Sequence, residues 1–474
     1  MSKKTLNKTN LTALGADALA ELLLDVTKGN AAQQRRLRME LSASAGTADV
    51  AGDIRKRFAT LRRSTGYVSW RKKGAFAREL SDLIGLIRTS VAPDDPGEAF
   101  DLLWSFLQLA PSIYERCDDS SGTIGSVMSD AMEHVSGLAP MLTTDCRALA
   151  ERVFEALQDN GYGEFDGAIP ALAEALGSDG LARLKDLAQA VEAEPLSEAD
   201  LARYDFVDDP EHQRELAQEA RNRSACMILQ AAADLEGDVD AYMARYSAKQ
   251  LTFHTIAPDV AARLLAAGRA NEALQIVEGA LTQDRRTVFD TPELTQVRVE
   301  CLDALDRGDS ASEVLWEEFC QTLRVDCLRQ YLRRLPDFED IEAEDRAKSV
   351  ALAHPDIMMA LTFFLEWPDM RSAASLIEIR FAELDGNAYY ILNPAAAALD
   401  GDYPLAATLA RRALILDTLD NKRSKRYGHA ATHLAECDAS DGQINDYQTH
   451  LPHAKFLETL RYAHPRKSAF WSRV

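Results

Sequence analysis

From about residue 230 onward the chain repeats one pattern. An apolar stripe recurs every three or four residues, breaks, and resumes in the same rhythm. The stretch 259–281, DVAARLLAAGRANEALQIVEGAL, shows it in full, with the break at Gly268. Such spacing predicts amphipathic helices. Breaks of the same kind fall at Gly237, Gly268, Gly308, Pro336, Pro368, Gly401 and Gly442, at intervals of 31, 40, 28, 32, 33 and 41 residues. A pair of helices this short cannot bury its stripe alone, so neighbouring pairs must stack. Glycine at the break supplies the left-handed residue that ends a helix, and proline prevents its continuation. Gly268 is therefore expected to be a hinge between two packed helices, with Ala266, Ala267, Ala270 and Ala273 permitting close approach.

The average interval, about 34 residues, is that of tetratricopeptide-type helical hairpins. The expected fold is all-α: an α-solenoid of stacked antiparallel helix pairs forming a right-handed superhelix, with a basic N-terminal helical cap. No convincing alternating strand is present. Segment 11–28 places Leu19, Leu22, Leu23 and Val26 on one helical face. Asp209-Pro210 and Thr291-Pro292 read as caps followed by proline in the first turn. Ser310-x-x-Glu313 reads as a capping box, and Ser197-x-x-Asp200 as a weaker one. Three regions are expected: a basic helical segment 1–92, a helical middle 93–200, and a repeat region 201–474 with capping helices at its end. The middle holds two loop-rich spots, ERCDDSSGTIGS at 115–126 and DNGYGEFDGAIP at 159–170.

Several stretches in this order carry a resemblance: DDSSGTIG, DNGYGEFDGAIPALAEALGSDGLARL, LLAAGRANEAL, and the tail from YGHAATHLAEC to RKSAFW. Together they resemble the all-helical repeat region of bacterial SWIM zinc-finger proteins. More closely, they resemble a stand-alone bacterial family of unknown function built on that region. The resemblance runs from about residue 11 to the end and implies an α-solenoid with no established activity. The C-x-C and C-x-H pairs of a SWIM finger are absent, so no role attached to that finger carries over.

Charge is unevenly distributed. The formal net charge is −22, yet residues 1–92 hold 17 Lys or Arg against 8 Asp or Glu, a local +9 that leaves −31 for the remainder. The body should repel nucleic acid and anionic membrane, while the N-terminal region need not. Seven scattered cysteines form no CxxC pair and read as reduced, mostly buried hydrophobes of a reducing compartment. Neither a signal peptide nor a run of about 20 apolar residues is seen. A cytoplasmic protein without membrane contact is expected.

Three groups of residues could carry chemistry. Basic residues Arg35, Arg36, Arg38, Arg55, Lys56, Arg57, Arg62, Arg63, Arg71, Lys72 and Lys73 interleave with Phe58, Tyr67, Trp70 and Phe76. They could neutralise phosphates with aromatics stacking on bases, dock an acidic protein surface, or simply face solvent. Asp118, Asp119 and Ser121 lie in a loop that could hold a cation, although a turn followed by a helix cap is the commoner use. His429 and His433 stand one turn apart, with Cys437 a further turn on and His450, His453 and His464 beyond. Zinc accepts such ligands, but His429 and Cys437 are about 12 Å apart along a helix and cannot share one ion. Packing and hydrogen bonding are the expected roles.

Nucleophile elbows, phosphate loops and dinucleotide-binding glycine motifs are absent. A non-enzymatic scaffold or adaptor is therefore expected, without cofactor, holding another protein or peptide, with a basic partner favoured by the acidic body. The alternatives are a nucleic-acid-associated protein using the 35–73 patch and a metal-dependent enzyme using the C-terminal histidines.

Overall fold

At Gly268 the backbone takes φ +73°, and the Gly268 and Arg269 N–H groups donate to the carbonyls of Leu265 and Leu264, at 2.9 and 2.8 Å. This is the paired 6→1 and 5→2 closure that ends a helix on a left-handed residue. It joins helix Ala257–Ala266 to helix Ala270–Leu281. Gly237 closes helix Pro210–Glu236 in the same way. The computed structural model describes residues 5–282 and 292–474. Every named element among them is helical, and the sole β pairing is an isolated parallel bridge between Val68 and Cys117.

All seven expected breaks lie at or between helix ends, but two capping assignments change. The left-handed residue before helix Gly308–Thr322 is Asp306, at φ 56°, and Gly308 opens the next helix. Ser310 consequently sits inside that first turn, and the capping box expected there does not form. The weaker box does: Ser197 and Asp200 cap reciprocally. Asp209 caps Pro210–Glu236 through the Glu211 N–H, with proline in its first turn. Thr291 lies outside the described residues. The segment 11–28 is not one helix: it is divided between helix Lys8–Thr12 and helix Ala16–Thr27, whose apolar side chains Leu22, Leu23, Leu24 and Val26 are exposed.

The chain divides into two compact units, Met1–Ser247 and Ala248–Val474. In the first, one buried cluster runs from Met39 to Leu229, across positions 92 and 200. Its aromatic centre is Trp104, with Phe100 at 5.4 Å and Phe165 at 4.7 Å between ring centroids. Phe165 belongs to the 159–167 loop and is almost wholly buried. Burying one such ring contributes about 1.5–3 kcal/mol, which anchors this loop to the core.

In the second unit, successive helices pack on one another: Ala257–Ala266 on Ala270–Leu281, Pro292–Ala304 on Gly308–Thr322, Ile357–Glu366 on Met370–Ile379, and Tyr389–Leu399 on Pro404–Asp420. Near the C-terminus Arg412 is buried, with its guanidinium 4.4 Å from the Phe456 ring and 5.3 Å from that of Tyr447. Arg412 Nη1 donates to the Leu451 carbonyl at 2.6 Å. One cation thus pins the segment that precedes and opens helix His453–Ala463.

Candidate functional site

The two loop-rich spots of the middle region meet. Helix Thr123–Leu138 presents Gly125, Met128, Ser129, Met132, Glu133 and Ser136 along one face, and the loop carrying Tyr162, Glu164 and Asp166 lies across from it. Between them is a groove of about 660 Å³. Tyr114 enters at its end and stacks on Tyr162, with ring centroids 4.8 Å apart and planes 18° from parallel.

The loop is held by its own side chains. Asn160 Nδ2 donates to Asp166 Oδ1 at 2.6 Å, and Asn160 Oδ1 accepts from the Phe165 N–H at 2.9 Å. Gly163 has φ +74°, and a Cβ there would lie 2.8 Å from Asp166 Oδ2. Phe165 points into the core, and Glu164 beside it is only 7% exposed. Glu164 Oε2 accepts from the Tyr162 N–H at 3.1 Å. Burial nevertheless pushes its carboxyl above the ordinary range, and the nearby Asp159 and Asp166 push in the same direction. The Tyr114 phenol is also raised, first by burial and then by Asp119 and Glu164. Three carboxylates line the groove, and no Lys or Arg does. Titratable groups shifted by burial inside a cleft are a physical mark of a binding or catalytic site.

The neighbouring loop candidate is a helix cap. The Asp119 carboxylate accepts the Ile124 N–H at 3.0 Å and the Gly125 N–H at 2.8 Å, and Lys73 Nζ stands 3.7 Å away. Asp118 Oδ1 accepts the Ser120 N–H, and this bond holds its carboxyl below the usual range. Ser121 Oγ lies 2.7 Å from Lys73 Nζ. These bonds tie the loop to the start of helix Thr123–Leu138 and to Lys73.

The basic stretch separates into two parts. Arg35 and Arg57 share Glu79, Arg36 meets Asp82 at 3.3 Å, Arg55 meets Glu98, and Lys56 meets Asp53 at 2.8 Å. With Lys73 bonded to the 118–121 loop, six of the eleven cations are satisfied within the fold. Arg38, Arg62, Arg63, Arg71 and Lys72 are exposed and have no carboxylate partner among the described residues. Of the interleaved aromatics, Phe58 is core and Phe76 packs against it, whereas Tyr67 and Trp70 are exposed.

The histidines do not converge. His433 Nδ1 is 3.2 Å from Glu436 Oε2, and His450 Nε2 is 2.8 Å from the Glu378 carbonyl. His453 and His464 approach Asp438 and Asp420 at 3.5 and 3.2 Å. Cys437 faces the core, donates to the Thr408 carbonyl at 3.8 Å, and is pushed up to about 12 by burial. His429 and His433 line a separate hollow of about 410 Å³ with Tyr389, Asn393 and Thr418. Among the described residues no group of three or more His, Cys, Asp or Glu is placed to hold a metal ion.

Sequence reasoning passed over Tyr114, Glu133, Tyr162 and Glu164. The available signal was the pair of Asp/Gly-rich loops, but spacing alone does not bring one to the other. Among the described residues no helix is long and apolar enough to cross a membrane. A search of curated proteins finds no match. A family model described as "Family of unknown function (DUF6880)" matches residues 1–473. With nearly its whole length matched, the chain belongs to that family of unknown function, DUF6880.

Proposed function

We propose that this chain is a non-enzymatic binding protein whose groove along helix Thr123–Leu138 takes a basic segment of another protein. One observation carries the reading: Glu164 is buried, with its carboxyl raised, in a groove lined by three carboxylates and no Lys or Arg. A buried carboxylate of this kind gains more than an exposed one when a cation arrives, because the cation offsets its lost hydration. The stacked Tyr114–Tyr162 pair offers an aromatic face to an ammonium or guanidinium group. Met128 and Met132 offer pliable apolar surface to its aliphatic stem. The packed helix pairs of the second unit suit an α-solenoid of tetratricopeptide type, as does the likeness to the SWIM-associated repeat region. Such repeats serve as scaffolds for partner proteins.

Random peptides displayed on phage, selected on the wild-type protein and on Glu133→Gln/Glu164→Gln, test this. Lys- and Arg-rich sequences should be enriched by the wild type and lost on the variant. Enrichment of acidic sequences, or equal enrichment on both proteins, rules the groove out.

A further inference from the structure

The connector between helices Thr47–Arg63 and Trp70–Leu86 displays a feature that the groove does not use. Tyr67 is 70% exposed and Trp70 78%. Arg62 and Arg63 end the helix before them, and Arg71 and Lys72 follow them. All four cations are exposed without a carboxylate partner among the described residues, although their neighbours Arg55, Lys56 and Arg57 are paired. Two large aromatic side chains left in water beside unneutralised arginines lose hydrophobic burial and ion pairing at the same place.

The connector is nevertheless held firmly. The Val68 N–H donates to the Arg116 carbonyl at 2.8 Å, and Val68 bridges to Cys117. One turn into the next helix, Lys73 Nζ donates to the Asp118 carbonyl at 2.9 Å, and the Arg116 guanidinium lies 5.6 Å from the Phe76 ring. The exposed aromatics are thus presented from a tied backbone, which reduces the ordering that binding would require.

We infer that this strip, Arg62, Arg63, Tyr67, Trp70, Arg71 and Lys72, binds single-stranded nucleic acid. Phosphates would pair with the four cations and unpaired bases would stack on Tyr67 and Trp70. An acidic peptide could satisfy the cations but brings no flat faces for the rings. A duplex hides its base faces. The strip spans at most about 25 Å between residues 63 and 70, enough for a site of roughly four nucleotides. The molecule's net charge of −22 opposes approach from elsewhere, so contact should be confined to this strip and sensitive to salt.

The test is fluorescence anisotropy of labelled oligo(dT) and oligo(rU) 20-mers with the full chain, with a labelled poly-Glu peptide and a DNA duplex as competitors. Four phosphate contacts on a single strand predict a slope of about −3 in log affinity against log salt, or roughly 50-fold weakening from 50 to 200 mM. Arg71→Glu/Lys72→Glu should lower affinity more than ten-fold. Trp70→Ala should lower it about ten-fold and remove the tryptophan quenching caused by the oligomer. Lys56→Glu, at a cation already paired with Asp53, should change it little. Equal melting temperatures for all variants would show that fold is not the cause. Absence of binding at 50 mM salt overturns the inference, as does affinity that Arg71→Glu/Lys72→Glu leaves unchanged. Tighter binding of poly-Glu than of either oligomer also overturns it and assigns the strip to an acidic protein surface.

Discussion

Glu164 is held where its ionised form is disfavoured. Because burial raises its proton affinity, the unfolded chain gives up this proton at a lower pH than the folded chain. The group therefore does not oppose folding below the ordinary carboxylate range. Its penalty develops as pH rises through the ordinary value toward the raised one. Glu164→Gln should raise the melting temperature at about pH 7 and leave it unchanged at about pH 4; an unchanged value at both would mean that burial is fully compensated. Asp119 has a different role, its carboxylate accepting the Ile124 and Gly125 N–H groups at the start of helix Thr123–Leu138. Asp119→Ala should destabilise by about 1–2 kcal/mol, read by urea denaturation, and Asp119→Asn by less. From the sequence a cap at this loop was legible, with Asp119 or Ser121 as the acceptor, because acids and hydroxyls before a helix commonly take its free N–H groups. Glu164 was not legible, because NGYGEFDG has the composition of an exposed turn. Only Phe165, anchored beside Trp104, draws its neighbour inside.

Helix breaks were readable where glycine or proline marks them, but the left-handed residue itself only where it is glycine. Gly237 and Gly268 stand out in the sequence, while Asp306, Leu323, Phe338 and Lys422 take left-handed backbone without any residue type that signals it. Two glycines separate the physical reasons for this residue. Gly268 has φ +73° and open space around its missing Cβ, so Gly268→Ala should cost only the backbone term, about 1 kcal/mol. Gly386, which belongs to none of the seven breaks, has an ordinary backbone but no room. A Cβ there would lie 2.7 Å from Asp417 Cβ and closer still to the Ala413 carbonyl oxygen on helix Pro404–Asp420. Gly386→Ala should therefore destabilise more than Gly268→Ala, by roughly 3 kcal/mol, in the same denaturation experiment. The basic stretch shows the same division. Its charge was plain from composition, but which cations remain unpaired depends on Glu79, Asp82 and Glu98 arriving from later helices.

For the molecule as a whole, the all-helical class followed from periodicity, because an apolar stripe at helical spacing has one economical backbone. Division into Met1–Ser247 and Ala248–Val474 did not follow, since no composition shift marks residue 247. Separate compact units predict calorimetric unfolding in more than one step. Gly386→Ala should lower only the step belonging to the second unit, and Asp119→Ala only that of the first. A single step moved by both would show that the units unfold as one.

The segment 114–125 is bonded on two sides. Tyr114 and Gly125 border the acidic groove, while the Arg116 carbonyl and Cys117 tie down the connector that bears Tyr67, and the Asp118 carbonyl holds Lys73 in the helix that Trp70 opens. Eleven peptide bonds thus belong to two surfaces of opposite charge. Thermodynamic reciprocity then applies: whatever factor an occupant of one surface imposes on affinity at the other must be returned unchanged in the opposite direction.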